Sequence, residues 1–366
     1  MAVYKLFPTQ DTTLYSMYPE MNTGLDEIIE TSLDVGAFTR PAPQASRFLI
    51  QFSTDEMNDL IDNTISGSFV TNLRCFVANV SALNIDTTID VFPVSQSWNM
   101  GTGKFLNSPQ TQNGASWIWK DYQGSEYWIS GSLNTNTTAS YSSSVDTGGG
   151  TWYATSGSGS QTFGYYDDKD LNINITTIIN KWYSSSIPND GLIVKQRNEF
   201  VDDENLQPKL KYFSIDTHTI YPPYLEFKWD DSIIVTGSLS SITENPAVIS
   251  LGHNPGIFTS QSINKFRVNA RPEYPARTFS TSSYFTTNYY LPESSSYAVK
   301  DLDTNEFVID FDDTYTKLSM DVSGSYFSLN MNGMQAERYY KILIKTSIDG
   351  NVMIFDDNYY FKIING

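Results

Sequence analysis

The stretch LNINITTIINKWYSSSIPNDGLIV, residues 171–194, changes period partway along and so decides how the chain around it is read. Leu171, Ile173 and Ile175 alternate with Asn172 and Asn174, the pattern of a half-buried strand. From Ile175 onward the apolar residues recur at helical spacing through Ile178, Ile179, Trp182 and Tyr183. Asn174 is placed to cap that helix, and Pro188-Asn189-Asp190-Gly191 supplies a stop and a tight turn before the apolar run Leu192-Ile193-Val194. Strand, short helix, turn and strand follow in that order. The helix is expected to serve structure: Ile178, Ile179 and Trp182 share a face that a sheet should bury, with the indole N–H finding an acceptor.

Outward from this stretch the chain reads as strand and turn. Apolar runs at 47–52, 71–80, 88–94 and 192–195 are separated by turn-rich gaps without alternating helices, which points to a β-sandwich rather than a parallel α/β sheet. One more helical segment is expected at 54–61, where Met57, Leu60 and Ile61 share a face. The Ser/Gly-rich span 124–160 contains Trp128, Tyr141, Trp152 and Tyr153, so it is read as ordered loops or hairpins rather than a linker.

All seven tryptophans fall at or before Trp229, and Asp230-Asp231-Ser232 then breaks the pattern. Two domains are therefore expected, 1–231 and 232–366, with 232–253 as an optional short module of its own. Strands are predicted in the second at 266–268, 307–311, 326–329, 339–346, 352–355 and 359–364, and an immunoglobulin-like sandwich is the expected architecture. Pro272 and Pro275 mark 269–280 as an extended loop.

Charge and residue supply narrow the chemistry. With 23 Lys plus Arg against 41 Asp plus Glu, the formal charge is −18, which disfavours nucleic acid as a partner. Cys75 is the one cysteine, so no internal disulfide is available, and its alternation with Leu73 and Val77 reads as a small buried thiol. The start MAVYKLFPTQ lacks a charged region followed by an apolar one, and no run is long enough to span a bilayer; a soluble protein without an export signal of its own is expected.

His218 and His253 are the two histidines, and neither has zinc-ligand spacing; His218 is read as a surface strand residue. No nucleophile elbow is present, and the paired acids read as solvated turns, so no catalytic residue is assigned. Calcium is the metal that loop carboxylates such as Asp167, Asp168, Asp170 and Asp202 would suit; otherwise no cofactor is expected. Trp117, Trp119 and Trp128 are open to two readings: a sugar-stacking platform, or residues of a core or subunit interface.

Several of these residues, in order, carry a resemblance. Gln10-Asp11-Thr12-Thr13, Asn22-Thr23-Gly24, Arg47-Phe48-Leu49-Ile50-Gln51-Phe52, Trp98, Thr176 to Trp182, Gly191-Leu192 and Pro208-Lys209-Leu210 together resemble the DNRLRE domain. That resemblance implies a jelly-roll β-sandwich, similar to carbohydrate-binding modules, over roughly 8–228, with the helix as a plug on one edge. The run Lys211-Tyr212-Phe213-Ser214-Ile215-Asp216-Thr217-His218 resembles virion proteins of tailed phages, particularly cyanophages. It implies a non-enzymatic head decoration, neck or tail component located in the virion and built in the host cytoplasm. Its partners would be other virion proteins, in a homo-oligomer or docked on an oligomeric ring. The alternative is an adhesin or tail-fibre module that binds host surface glycan. Neither reading involves a membrane.

Overall fold

Alternating apolar residues between turn-forming gaps produce short strands throughout, with two helices among the described residues of this computed structural model. Those residues are 2–34, 44–81, 86–128, 137–139, 148–197, 199, 208–243, 246–252, 254–275 and 288–366. In chain order the elements are β1 (Ala2–Leu6), β2 (Pro8–Tyr15), β3 (Ile28–Asp34), β4 (Gln44–Phe52), α1 (Thr54–Asn63), β5 (Phe69–Cys75), β6 (Val77–Ser81) and β7 (Thr87–Pro93). Next come β8 (Trp119–Asp121), β9 (Glu126–Tyr127), β10 (Thr137–Ala139), β11 (Thr151–Tyr153), β12 (Gly159–Phe163), β13 (Leu171–Asn174) and α2 (Thr176–Tyr183). They are followed by β14 (Leu192–Gln196), β15 (Lys209–Phe213), β16 (Tyr224–Trp229), β17 (Ala247–Gly252), β18 (Ile257–Thr259) and β19 (Ile263–Pro272). The chain ends with β20 (Ser296–Asp301), β21 (Phe307–Ile309), β22 (Ser319–Asp321), β23 (Gly324–Asn330), β24 (Tyr339–Ile348), β25 (Asn351–Phe355) and β26 (Tyr360–Ile364). The fold is all-β, with tandem sandwich domains. No helix among the described residues is long and apolar enough to cross a membrane.

Packing divides the chain into two units. One gathers Leu6–Asn63 and Val70–Glu226; the other gathers Met1–Lys5, Thr64–Phe69 and Phe227–Gly366. The division falls inside β1, β5 and β16, so the units interleave in sequence.

In the first unit the main sheet runs β12-β7-β14-β4-β3-β15-β6, with β2 also paired to β4. Strand β4 pairs with β14 through Ile50 to Leu192 and with β2 through Leu49 to Thr12. A sandwich strand ordinarily buries alternate side chains. In β4, Arg47, Phe48, Leu49 and Ile50 are all fully buried, because the outward face is covered too. Leu49, Leu14 and Ile193 pack there with Trp98, Trp117, Trp128 and Trp152, which arrive from the loops around 94–128 and 148–153.

Helix α2 buries Ile178, Ile179 and Trp182, as its periodicity predicts. It differs from expectation in three details. Ile175 occupies the N-cap position with no side-chain cap, while Asn174 accepts a 3.0 Å hydrogen bond from the Thr176 amide and so braces the turn that enters the helix. The Trp182 indole N–H is buried without an acceptor, because the face it occupies is apolar. Tyr183 is exposed and donates its hydroxyl to Asp62 of α1 at 2.6 Å. The helix begins where β12 crosses β13: a Cβ on Gly159 would lie 2.4 Å from Ile173 and 2.8 Å from the Asn174 carbonyl, an approach only glycine permits.

The second unit packs the sheet β17-β19-β23-β22 on the sheet β18-β26-β24-β20-β21, with β25 joined to β24. Phe266, Val268, Phe327 and Leu329 from the first meet Tyr297, Ile342 and Phe361 from the second, and the Tyr297 and Phe327 rings stack at 4.2 Å. Two expectations need correction here. Residues 269–272 are not loop: β19 continues to Pro272, which ends the strand opposite Ala247, a position that needs no further ladder hydrogen bond. The segment from 232 contributes β17 to that same sheet and so does not stand apart as a module.

Truncating Trp182 to Ala should destabilise the first unit by about 3–5 kcal/mol through the cavity left behind, whereas exposed Asn180→Ala on the same helix should change stability by about 0.5 kcal/mol or less. Denaturant melts of the two variants check this, and a Trp182→Ala protein as stable as the parent would show that the helix is not a packed plug.

Candidate functional site

The loop cover over β4 is held by polar groups buried beneath it. Asn22 donates to the Met100 and Ala115 carbonyls at 2.7 and 2.8 Å and accepts from the Gly103 amide at 2.7 Å, so one side chain clamps both ends of the 100–115 loop. Gly24 completes the turn, because a Cβ there would lie 2.2 Å from the Met100 carbonyl oxygen. Deeper in, the fully buried Arg47 guanidinium meets both oxygens of Glu199, with Nη2 to Oε2 at 2.7 Å, and donates from Nη1 to the Gly149 carbonyl at 2.6 Å. Its faces lie over Trp117 at 4.8 Å and Trp152 at 5.4 Å. Lys195 joins Glu199 at 3.2 Å, and burial pulls its ammonium below the ordinary lysine value while Glu199 opposes that pull.

From this cover projects the hairpin of β8 and β9, registered by Trp119 opposite Tyr127. Trp117 and Trp128 root it: both are buried in the tryptophan cluster, and the Trp128 indole donates to the Ser116 carbonyl at 2.9 Å. Neither offers a face to a ligand, so the three-tryptophan platform does not form; the residues alternate in role because the hairpin root must fill the cover. Trp119 stays near the surface. Tyr127 stacks on it with centroids 3.8 Å apart and planes 27° from parallel, and Tyr122 meets its edge at 5.2 Å. Tyr127 is 58% exposed, so the ring face away from Trp119 is open to solvent. On the same hairpin Lys120 and Glu126 are paired at 2.7 Å. Sequence reasoning found Trp119 but missed Tyr122 and Tyr127; the hairpin register that joins them is a short-range signal in Trp119 to Tyr127 that aromatic alternation alone does not reveal.

The described carboxylates considered for calcium each accept from a backbone amide. Asp167 accepts from the Gly164 amide at 2.7 Å, Asp168 from the Asp170 amide at 3.2 Å, and Asp170 from the Val77 amide at 2.8 Å. Asp202 and His253 lie outside the described residues. Among the described residues no group of three or more His, Cys, Asp or Glu is placed to hold a metal. His218 sits on an exposed turn rather than a strand, since the chain leaves β15 at Phe213, and its ring lies 3.7 Å from Glu27. Cys75 is buried and free.

Asp11 is a buried acid with only part of its carboxylate satisfied. Its Oδ2 accepts from the Ile215 amide at 2.7 Å while Oδ1 has no partner. Burial pushes its pKa up to about 8, with Asp216 and Asp26 adding repulsion and the Ile215 hydrogen bond opposing.

Two outcomes follow from these buried charges. Glu199→Ala should destabilise the first unit by about 3–5 kcal/mol, because it strands the Arg47 and Lys195 charges, while the triple change Arg47→Met, Lys195→Met and Glu199→Leu should recover most of that loss. Equilibrium urea melts measure both. For Asp11 the folded state binds the proton more tightly than the unfolded chain, so its contribution is greatest below pH ~4, declines as pH rises toward about 8, and is flat above. Asp11→Asn should flatten that decline and raise stability at pH 8 relative to the parent; melts from pH 4 to 9 with an unchanged slope would remove this assignment.

No protein-family model matches the chain, and no curated protein does. Among solved structures, a DUF4785 family protein from Legionella pneumophila aligns with 100% of this chain and 66% of its own, at 6% identity and a TM-score of 0.19. A β-glucuronidase from Parabacteroides merdae aligns with 99% of this chain and 35% of its own, at 8% identity and a TM-score of 0.17. The chain spans less than two thirds of either structure's length, and likenesses at these scores carry no argument about what it does.

Proposed function

We propose that this chain is a non-enzymatic structural component of a tailed-phage virion, a head decoration, neck or tail accessory protein that acts through protein–protein interfaces. The observation that supports this reading is an apolar strip on the second unit. Ile233, Val235 and Val322 are 56%, 58% and 66% exposed. Ile233 and Val235 lie on a segment that pairs along the edge of β22, and Val322 follows β22 in the turn to β23: the Met320 amide donates to the Ile233 carbonyl at 2.7 Å, and the Val235 amide donates to the Met320 carbonyl at 3.0 Å. Such a segment extends a sheet edge with β-branched side chains next to the Asp321 carboxylate, which Lys265 and Arg267 pair. Exposed apolar residues along a sheet edge are suited to a protein interface. Partners would be other virion proteins, either further copies of this chain or an oligomeric ring.

Mass spectrometry of purified particles tests the reading, with the chain expected at stoichiometric level. Ile233→Asp combined with Val235→Asp should leave the thermal melt of the isolated protein unchanged and remove the chain from the particles. Absence of the parent chain from particles, or normal incorporation of the double variant, would count against this role and this surface respectively.

A further inference from the structure

The hairpin of β8 and β9 has a property that neither the core nor the apolar strip requires. We infer that it is a saccharide-stacking site, with Tyr127 as the platform and Trp119 as its backing, for neutral oligosaccharides of β-linked, equatorially substituted pyranoses. The hairpin is rooted by Trp117 and Trp128 in the tryptophan cluster, and Tyr127 stands 58% exposed on it. One face of its ring rests on Trp119 at 3.8 Å, and Tyr122 props the edge of that indole at 5.2 Å. The outer face is thereby held rigid and flat before any ligand arrives, which lowers the ordering cost of binding.

A flat aromatic face packs on the row of axial C–H groups that equatorial pyranoses present, while their hydroxyls point sideways. The same hairpin carries the Lys120 and Glu126 pair and the Asp121 carboxylate, which accepts from the Gln123 amide at 3.1 Å. Charge selects among sugars. The hairpin carries Asp121 and Glu126 against Lys120, on a chain of formal charge −18, so uronates and sialylated chains are repelled. The other exposed aromatic pair, Tyr165 and Tyr166, meets edge to face at 84° on a turn and presents no backed plane.

Calorimetric titration of the full chain with cellohexaose and xylohexaose, and with hexagalacturonate as the anionic comparator, tests the site. Saturable binding of at least one neutral hexasaccharide is expected, with the anionic one at least tenfold weaker. Tyr127→Ala should weaken binding tenfold or more, Tyr127→Trp should retain it, and Tyr166→Ala should leave it unchanged, all with the parent's thermal melt. No heat from either neutral sugar, preference for the galacturonate, or parent-like binding by Tyr127→Ala would overturn the inference. Incorporation into particles is read separately, since it depends on Ile233 and Val235 rather than on Tyr127.

Discussion

A buried guanidinium organises the first unit. Arg47 lies on the central strand of the main sheet, and an unpaired charge at that depth would be prohibitively unfavourable. Its demands recruit distant chain: Glu199 supplies both carboxylate oxygens, Gly149 a carbonyl, and Trp117 and Trp152 two aromatic faces. Meeting them draws the loops around 117 and 149 down onto the outer face of β4, which is why that strand is buried on both sides. Removing Glu199 strands the Lys195 charge as well as the guanidinium, so only replacing all three with apolar groups of similar size need not destabilise.

The surface hairpin is a consequence of that arrangement. Once Trp117 and Trp128 are committed to the cover, the chain between them must return on itself, and Trp119 and Tyr127 meet across the turn. Asn22 fixes the preceding loop by bonding to its two ends, so the hairpin stands on a braced base rather than on a flexible tether. Rigidity at the base and exposure at the tip are the conditions under which an aromatic pair can receive a ligand without first paying to order itself. The apolar strip on the second unit belongs to a different physical class: it extends a sheet edge and has no aromatic backing, so it suits a protein surface instead of a sugar face.

Asp11 shows the same economy under strain. Its carboxyl supports the Ile215 amide yet leaves one oxygen unpartnered, and the protonated form is the one that burial favours. Stability and local hydrogen bonding are therefore coupled to pH at a single strand position near the start of the chain.

Local periodicity by itself determined much of the secondary structure. The shift from period two to helical spacing at Ile175 marks α2 and its buried face, because burial on one side imposes that spacing on any short element. The apolar runs at 47–52 and 192–195 mark β4 and β14, and the absence of alternating helices marks the all-β class. Tertiary structure alone decided the rest. Trp117 turns inward against Arg47, and the partner of Arg47 lies 152 residues away, a separation at which no local pattern records the pairing. The units interleave because Met1–Lys5 and Thr64–Phe69 gather with Phe227–Gly366 through packing between distant segments. The exposed face of Tyr127 arises only when the hairpin closes and the cover beneath it has been filled, so its availability is a property of packing that no stretch of the chain carries alone.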